Sequence, residues 1–105
     1  MQTNDSALNG KLVLVTGAAR RIGRALALAC AKAGADVIIH YGRSKQEALQ
    51  AQEEIKSIDH QAWIVQADLG KPDQIAKLIS EAGKIGRLDG LVNNAAIFES
   101  KSEPK

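Results

Sequence analysis

Two glycines stand in the segment Thr16 to Gly23 (TGAARRIG), which directly follows a short apolar run and opens a segment of helical composition. Where a strand turns into a helix, unpaired backbone N–H groups and the positive end of the helix dipole converge on one point, which favours an anion such as a pyrophosphate. Gly17 and Gly23 allow the backbone to approach that ligand closely and the helix to pack tightly. The spacing therefore predicts a nucleotide-binding turn, with a purely structural turn as the alternative.

Two arginines inside this turn add fixed positive charge beside the predicted phosphates. Arg21 stands where the plain dinucleotide fingerprint has its middle glycine, and Arg20 precedes it. Cations in the first turn of a helix are mildly unfavourable because of the helix dipole. Two in succession indicate an anionic partner, since a guanidinium binds phosphate oxygens through paired hydrogen bonds. We also expect Ile22 to contact the cofactor.

The choice of nucleotide depends on the segment that ends the second apolar run, which reads His40-Tyr41-Gly42-Arg43-Ser44. A free ribose 2′-hydroxyl usually meets a carboxylate at this position, whereas a ribose 2′-phosphate requires cations and hydroxyls. The segment contains no carboxylate, and Asp36 stands at the other end of the strand. Arg43 and Ser44 supply a guanidinium and a hydroxyl, so we predict NADPH as the cofactor, with further contacts from His40 and Tyr41.

The elements that position these residues alternate in their hydrophobic period. Short β-branched runs predict strands at 12–16, 37–41, 62–65 and 88–92. Helical composition predicts helices at 21–33, 45–57 and 73–85. The first two runs are continuously apolar, as in strands of a parallel sheet that are buried on both faces. The order βαβαβαβ with short crossovers predicts part of a Rossmann-like, doubly wound α/β sheet with strand order 3-2-1-4 and a central first strand.

Helix boundaries are indicated by glycine, serine and proline. Gly34 and Gly86 are predicted to end the first and third helices with positive φ, Ser44 to cap the second, and Pro72 to lie in the first turn of the third. In this topology two helices cover one face of the sheet and one helix covers the other. The fourth strand becomes an open edge with apolar neighbours, which predicts a piece of a larger domain or a chain that associates with copies.

Composition excludes several classes of protein. The chain has 105 residues, 45% of them hydrophobic and 25% charged, with one cysteine and a formal net charge of +2. A disordered chain is poorer in apolar residues, a disulfide scaffold is richer in cysteine, and a nucleic-acid binder is more one-sided in charge. Neither a secretory signal nor a membrane-spanning run is apparent, which predicts a cytoplasmic location. His40 and His60 lack partners at metal-ligand spacing, and Cys30 is interpreted as a small apolar residue without chemistry.

Three motifs together resemble the N-terminal half of the short-chain dehydrogenase/reductase family: TGAARRIG after the first strand, Asp68-Leu69 after the third, and Asn93-Asn94-Ala95-Ala96 after the fourth. The resemblance covers residues 11–98. It implies that Asp68 and Leu69 contact the adenine, that Asn93 and Ala95 border the ribose, and that Ala96 also belongs to the cofactor-binding residues. It also implies that Asn93 ties the fourth strand to its neighbours, and that the complete protein reduces a small molecule as a dimer or tetramer.

Within that family, Arg21 and the HYGRS segment look most like the pteridine-reductase branch. The resemblance implies that Arg21 reaches both the cofactor phosphate and the pterin, that Arg43 and Ser44 hold the 2′-phosphate, and that Phe98 stacks on the pterin ring. Ala96 departs from the serine that several pteridine reductases carry at that position. A 3-oxoacyl-carrier-protein-reductase-like member and a non-catalytic nucleotide-binding fragment are the alternatives.

The chemistry implied by the family is transfer of a hydride from the nicotinamide to a carbonyl or imine, assisted by a tyrosine and a lysine four residues apart. Tyr41 and Lys45 have that spacing, but Gly42 and Ser44 place a turn between them, so they cannot lie together on a helix face. The family's catalytic residues belong to later elements. We therefore expect residues 1–105 to form the cofactor-binding part of one domain, with a flexible segment at 1–10, a loop or tail at 99–105, no catalytic residues and no activity alone.

Overall fold

The computed structural model describes residues 7–95, which form a four-stranded sheet between two layers of helices. The strands are β1 (Leu12–Thr16), β2 (Asp36–Tyr41), β3 (Ala62–Gln66) and β4 (Gly90–Asn93). The helices are α1 (Arg21–Lys32), α2 (Lys45–Lys56) and α3 (Pro72–Ile85). Every element predicted from the sequence is present, with its ends within two residues of the expected positions.

The strand order is β3-β2-β1-β4, and every pairing is parallel, as predicted. The register aligns Thr16 with Asn93 and Tyr41 with Gln66, so all four strands end at the same edge of the sheet. Ligands of open α/β sheets bind at the carboxyl edge, where the order of the strands reverses about the first one. The sheet therefore brings the segments that follow β1 to β4 to one place.

One face of the sheet is closely packed against α1 and α2. Val15, Val37 and Ile39 of the two central strands are fully buried there. The helices present alanines, which allow their backbones to approach the sheet: Ala27, Ala31, Ala48 and Ala51. Burying a branched side chain of this size stabilises a fold by about 2 kcal/mol, so this face provides a rigid base for the carboxyl edge.

The opposite face is covered more sparsely. Among the helices in residues 7–95, α3 alone packs against it, through Leu78 and Ala82 over Leu14 and Ile38. Leu91 of the edge strand β4 is 58% exposed. The contrast between the faces agrees with the expectation that the second face and the fourth strand are left open.

Two of the four predictions for the helix ends are confirmed, those for Gly34 and Pro72. Gly34 has φ of 110° after α1, in the region that favours glycine, and Pro72 stands at the start of α3, as predicted. The prediction for Gly86 was wrong, because its φ of 167° is extended backbone. A Cβ there would be 3.2 Å from Leu12 Cδ2, so the missing side chain matters for packing against β1 and not for a left-handed turn.

Residues 7–95 contain no helix that is long and apolar enough to cross a membrane. The cytoplasmic location stays a prediction. The flexible segment expected at 1–10 lies mostly outside the described residues, and the tail expected at 99–105 lies wholly outside them.

Candidate functional site

A cleft of about 960 Å³ lies at the carboxyl edge of the sheet. Its walls come from the turn after β1, the turn after β2, the segment after β3 and the end of β4. Most residues predicted to contact the cofactor line this cleft: Gly17, Arg20, Arg21, Ile22, His40, Arg43, Asp68, Leu69 and Ala95. The fold therefore gathers residues from across 79 positions of the chain into a single concavity.

The two glycines of the turn are required for different reasons. Gly17 has φ of 63°, and a Cβ there would lie 3.1 Å from both Ala95 Cα and Asn94 Nδ2. Gly23 lies behind the turn in α1, where a Cβ would be 1.8 Å from the Gly17 carbonyl oxygen. No side chain fits so close to that oxygen. Gly23 therefore allows α1 to contact the turn, and the positive φ of Gly17 gives the turn its shape.

Arg21 adopts a left-handed backbone with φ of 55°. This is the position of the middle glycine in the plain fingerprint, and the observed φ explains why glycine is common there. Holding a non-glycine residue in this region costs about 1–3 kcal/mol. Arg20, immediately before it, is extended and precedes the first helical turn. The strain is accepted at a residue that adds a guanidinium to the cleft wall.

The hydroxyl of Thr16 joins β1 to the end of β4. It accepts hydrogen bonds from the backbone N–H groups of Asn94 at 2.9 Å and Ala95 at 3.0 Å. It donates to Oδ1 of Asn93, 3.1 Å away. Asn93 thus ties the fourth strand to its neighbour, as the family resemblance implied. Both strand ends are fixed in register beside the glycine turn.

Asn94 was missed as a site residue by the sequence reasoning, although its motif was recognised. Its side-chain Nδ2 donates to the Gly17 carbonyl oxygen at 3.2 Å, and the residue lines the cleft. The contact joins residues 77 positions apart. The two adjacent asparagines at the end of β4 indicated that amide side chains are needed there. Only the fold shows that Asn93 binds Thr16 of β1 and that Asn94 binds Gly17 of the glycine turn.

His40 connects the glycine turn to the segment after β3. Its Nδ1 lies 2.9 Å from the backbone nitrogen of Gly17, and its Nε2 lies 2.9 Å from the Ala67 carbonyl oxygen. The Gly17 N–H can only donate, so Nδ1 must be the unprotonated nitrogen and Nε2 must carry the hydrogen. Burial lowers the pKa of His40, while the hydrogen bond to Ala67 raises it by a smaller amount. The side chain is 3% exposed and neutral.

Asp68 begins the loop between β3 and α3. Its Oδ1 accepts a hydrogen bond from the Gly70 N–H at 2.9 Å, which shapes a local turn. The preceding residue, Ala67, donates its N–H to the Tyr41 carbonyl oxygen at 3.1 Å and so extends the pairing of β2 with β3. The loop places Asp68, Leu69 and Gly70 along one wall of the cleft.

Ser44 occupies the position before α2, but its side chain makes no capping hydrogen bond, so that part of the prediction was wrong. Its ψ of 64° differs from the extended backbone usual at a helix N-cap. Its hydroxyl oxygen instead lies 3.4 Å from Arg20 Nη1, which donates to it. Arg43, which precedes Ser44 in the chain, lines the cleft, so the turn after β2 contributes a guanidinium to the cleft and a hydroxyl to the Arg20 side chain.

Some predicted contacts do not line the cleft. Tyr41 is 8% exposed within the core on the α1 and α2 side, and Ser44 borders the cleft through Arg20. Gly23 and Asn93 support the turn and the end of β4 from behind. Ala96 and Phe98 lie outside the described residues. The sequence reasoning also left out the following lining residues: Gly42, Gln66, Ala67, Gly70 and Asn94.

The described residues offer little catalytic chemistry of their own. Tyr41 lies on β2 and Lys45 opens α2 beyond the intervening turn, so the two share no helix face. Within residues 7–95, no three His, Cys, Asp or Glu side chains are grouped to hold a metal ion. Burial raises the pKa of the partly buried Cys30 thiol, which disfavours the reactive thiolate. The cleft of the described residues combines the guanidinium groups of Arg20, Arg21 and Arg43 with one carboxylate, Asp68.

Comparison with known proteins identifies a family. The short chain dehydrogenase family model matches residues 11–105. The chain is 44% identical over 91 residues to a versicolorin reductase of Emericella nidulans, covering 86% of this chain and 34% of that protein. It is 42% identical over 88 residues to a 3-oxoacyl-acyl-carrier-protein reductase of Staphylococcus epidermidis, covering 83% of this chain and 36% of that protein. The chain thus spans about a third of the length of these relatives.

A solved structure gives the same result for the fold. An alternative dihydrofolate reductase 1, FolM, of Brucella canis in complex with NADP superposes with a TM-score of 0.78 at 39% identity. The match covers 87% of this chain and 37% of that one. The relatives differ in the substrates that their names state, so they do not confirm the pteridine-reductase branch expected from the sequence.

Proposed function

The chain belongs to the short-chain dehydrogenase family, and on that premise we propose that it is the NADPH-binding part of an oxidoreductase. The complete enzyme transfers a hydride between the nicotinamide and a carbonyl or imine. One observation carries the proposal: the glycine turn, the guanidinium side chains and the segment after β3 line one cleft at the carboxyl edge of the sheet.

The glycine turn and the start of α1 are proposed to bind the pyrophosphate. Gly17 and Gly23 bring the backbone of the turn close to the cleft, where N–H groups at the helix N-terminus favour an anion. Arg20 and Arg21 line the same wall and add two positive charges. The strained backbone of Arg21 is consistent with a functional role, since such strain concentrates at binding sites.

Selection of NADPH over NADH is assigned to Arg43, Ser44 and Arg20. A carboxylate that accepts a ribose 2′-hydroxyl is missing from the turn after β2, and Asp36 lies at the opposite end of β2. The Asp36 carboxylate accepts a hydrogen bond from the Gln61 N–H there, 2.9 Å away. The cations beside Ser44 suit a 2′-phosphate, and the Brucella canis relative holds NADP.

We propose that this chain binds the cofactor without turning it over. Tyr41 is the chain's single tyrosine, and it lies in the core and not in the cleft. The acid and base of the complete enzyme then belong to a part of the protein beyond these residues. A non-catalytic binding module is the alternative function, and it also predicts cofactor binding without turnover.

For the substrate, we propose a pteridine, which rests on Arg21 in the cleft wall and on the dihydrofolate reductase among the similar structures. A 3-oxoacyl thioester is the second candidate, because the Staphylococcus epidermidis relative is named for that substrate. Calorimetric titration of the chain saturated with NADP⁺ tests the choice. Dihydrobiopterin is expected to bind and acetoacetyl-pantetheine to bind more weakly, and the reverse order would support the 3-oxoacyl reading.

We also propose that the open side of the sheet is covered by association. Leu91 on β4 and Ile75 and Ile79 on α3 are exposed apolar side chains. Exposed edge strands and apolar patches of this kind commonly pair with another chain. Size-exclusion chromatography is expected to give a dimer or tetramer, whereas a stable monomer with a sharp thermal transition would contradict the proposal.

The cofactor assignment is tested by titrating the chain with NADPH and NADH and following nicotinamide fluorescence. We expect NADPH to bind more tightly. Replacing Arg43 with alanine is expected to weaken NADPH about 10- to 100-fold, the value of one charge-assisted hydrogen bond, and to leave NADH nearly unchanged.

Arg87→Ala is the matched control, because Arg87 lies in the segment between α3 and β4, outside the cleft lining. It removes the same charge from the chain, and no change in either affinity is expected. Equal losses of NADPH and NADH binding in Arg43→Ala would refute the role at the 2′-phosphate. Failure of the folded chain to bind either nucleotide would refute the proposed function as a whole.

A further inference from the structure

His40 is a titratable side chain inside the proposed cofactor site that the chemistry described so far does not use. It lies on β2, next to the central strand, and both of its ring nitrogens have partners within the protein. One partner is the Gly17 N–H at the start of the glycine turn, and the other is the Ala67 carbonyl oxygen after β3. The imidazole therefore joins two walls of the cleft.

The hydrogen bond to Gly17 exists in only one protonation state of the ring. Neutral imidazole offers Nδ1 as an acceptor, whereas the imidazolium carries hydrogen on both nitrogens and is a donor at each. A proton on Nδ1 would face the Gly17 N–H across 2.9 Å. Two donors cannot remain at that separation, so protonation requires the turn or the ring to move.

The ring cannot turn away from Gly17 without losing the hydrogen bond between its Nε2 and the Ala67 carbonyl oxygen. The Ala18 N–H donates to the His40 carbonyl oxygen at 2.9 Å, so the turn stays attached to β2 at Ala18 while Gly17 moves away from the ring. His40 is 3% exposed, so an imidazolium would also lack hydration. Protonation of the ring would therefore displace Gly17. Because Gly17 is also the residue that Gly23 contacts closely, the displacement would change the shape of the glycine turn.

The charged groups around His40 do not compensate an imidazolium. The ion pairs among the described residues join Arg24 to Glu54 and His60 to Asp36, and neither includes His40. Asp68 is the carboxylate of the cleft lining, and its Oδ1 is bonded to the Gly70 N–H. The other charged side chains of the lining are cations from α1, its N-cap and the turn after β2: Arg20, Arg21 and Arg43.

We propose that neutral His40 is the positioning residue of the glycine turn, and that its protonation releases Gly17 and weakens binding of the nicotinamide nucleotide. The inference rests on the proposed function, because the ligand whose affinity responds is the proposed cofactor. His40 acts through the backbone of the turn and does not itself touch the phosphates. The site is consequently intact at neutral and alkaline pH and is weakened on acidification.

Two conservative variants separate the two bonds of His40. In His40→Asn, the amide oxygen replaces Nδ1 as an acceptor for the Gly17 N–H and does not titrate. In His40→Gln, the longer side chain returns an N–H donor toward the Ala67 carbonyl oxygen. His60→Asn is the matched control, because His60 lies at the opposite end of the sheet beside Asp36.

The first experiment measures the affinity for NADP⁺ and NAD⁺ by calorimetry between about pH 5 and pH 8, the range in which histidine changes charge. The oxidised nucleotides are stable in acid, and NAD⁺ lacks the 2′-phosphate that would itself titrate near pH 6. Because burial lowers the pKa of His40, we expect the NAD⁺ affinity of the natural chain to stay constant down to pH 6.5, the ordinary pKa of histidine, and to fall only at the acid end of the range. His60→Asn should follow the same curve.

In His40→Asn, NAD⁺ affinity is expected to stay constant across this range and to match the natural chain within a few-fold at pH 8. An unchanged acid dependence in His40→Asn would overturn the proposal. Failure of the natural chain to bind either nucleotide at pH 8 would instead refute the proposed function. The link between His40 protonation and Gly17 would then be tested by a measurement without ligand.

That second measurement is the amide resonance of Gly17 in ¹⁵N-labelled chain without ligand. It is expected to shift on acidification together with the His40 ring signals, and to stay fixed in His40→Asn, or in His40→Gln if the asparagine variant does not fold. A Gly17 resonance that ignores His40 protonation in the natural chain would overturn the inference, whether or not a nucleotide binds.

Discussion

The two ends of the sheet are built differently, although the same four strands run through both. At the amino end, carboxylates satisfy backbone donors: Asp89 accepts from the Leu12 N–H, and Asp36 accepts from the Gln61 N–H, each at 2.9 Å. At the carboxyl end, the Gly17 N–H of the turn after β1 meets a neutral imidazole, and the Asn94 N–H after β4 meets the Thr16 hydroxyl. The acceptors beside the glycine turn are therefore uncharged, and the carboxylate acceptor at the carboxyl end, Asp68, serves the loop after β3.

The two ends also differ in the surroundings of their residues with positive φ. The carboxyl end contains Gly17 and Arg21 with positive φ in one turn. At the amino end, Gly34 follows α1 with φ of 110°, and Asp59 follows α2 with φ of 68°. Positive φ at a non-glycine residue therefore occurs at both ends, and the difference is that Arg21 adds a cation to a cleft.

If the carboxyl end of the sheet is the binding end, substitution of Gly23 is expected to have the largest effect on stability and nucleotide binding, because Gly23 packs directly against the glycine turn. Gly23→Ala would place a Cβ 1.8 Å from the Gly17 carbonyl oxygen, so the turn and α1 must separate. We expect a loss of about 3 kcal/mol in the free energy of unfolding, as for severe overpacking, and loss of nucleotide binding. Urea denaturation and NADPH titration measure the two effects.

Gly83→Ala is the matched control, since Gly83 is also a helical glycine and has nothing within 4 Å of its added Cβ. Alanine favours a helix more than glycine does, so we expect a gain of about 0.5 kcal/mol and unchanged nucleotide affinity. If both variants destabilise the chain equally, the contact between Gly17 and Gly23 is not the special feature proposed.

The two histidines sharpen the comparison through pH. Burial lowers the pKa of His40 in the folded chain below its unfolded value of 6.5. Below pH 6.5 the unfolded chain binds a proton at His40 that the folded chain does not bind. The free energy of unfolding therefore decreases as the pH is lowered from 6.5 to the pKa of His40 in the folded chain. Above pH 6.5 the contribution is fully present. Chemical denaturation at successive pH values should show this fall in the natural chain.

His40→Asn should flatten that pH profile, and His60→Asn, the change at the opposite end, should leave it in place. If His60→Asn and not His40→Asn flattened the pH dependence of the free energy of unfolding, the histidine responsible would lie at the amino end of the sheet, and the assignment to His40 would be wrong.

The smallest effect is expected at Arg21. Arg21→Gly relieves a backbone strain of about 1–3 kcal/mol, partly offset by about 0.5–1 kcal/mol for the added freedom of glycine in the unfolded chain. We expect a net gain in stability of about 1 kcal/mol by thermal denaturation, together with weaker NADPH binding because a guanidinium is lost. Arg21→Ala keeps the strain and loses the guanidinium. If Arg21→Gly is the less stable of the two, the strain interpretation is wrong.

The fold was predictable from the sequence because its signals are local. The continuous apolar runs of β1 and β2, the alanine-rich α1 and the proline of α3 each determine their own segment, and the crossover rules then restrict the strand order. Gly86 was misassigned since a glycine after a helix suits either a left-handed turn or close packing. The contact with Leu12, which decides between them, joins residues that are distant in sequence.

The site was predictable only in part, for the same reason. Gly17 and Arg43 could be recognised because each follows a strand at a characteristic spacing, and Asp68 because of the resemblance to the family. The roles of His40 and Asn94 could not, because their hydrogen bonds to Gly17 join residues 23 and 77 positions apart. A histidine near a predicted phosphate site is interpreted from sequence as a ligand contact. The structure shows instead that the two ring nitrogens of His40 are hydrogen-bonded to the backbone of Gly17 and Ala67.

The central claim is that the nucleotide binds at the carboxyl end of the sheet, with its pyrophosphate on the glycine turn. The most direct measurement is the change in backbone amide resonances of the ¹⁵N-labelled chain on addition of NADP⁺. We expect the largest shifts at Gly17, Arg20, Arg21, Arg43 and Asp68, and none at Gly34 or Asp89 of the opposite end. Shifts concentrated at the amino end, or a folded chain whose glycine-turn resonances do not respond to saturating NADP⁺, would contradict the account.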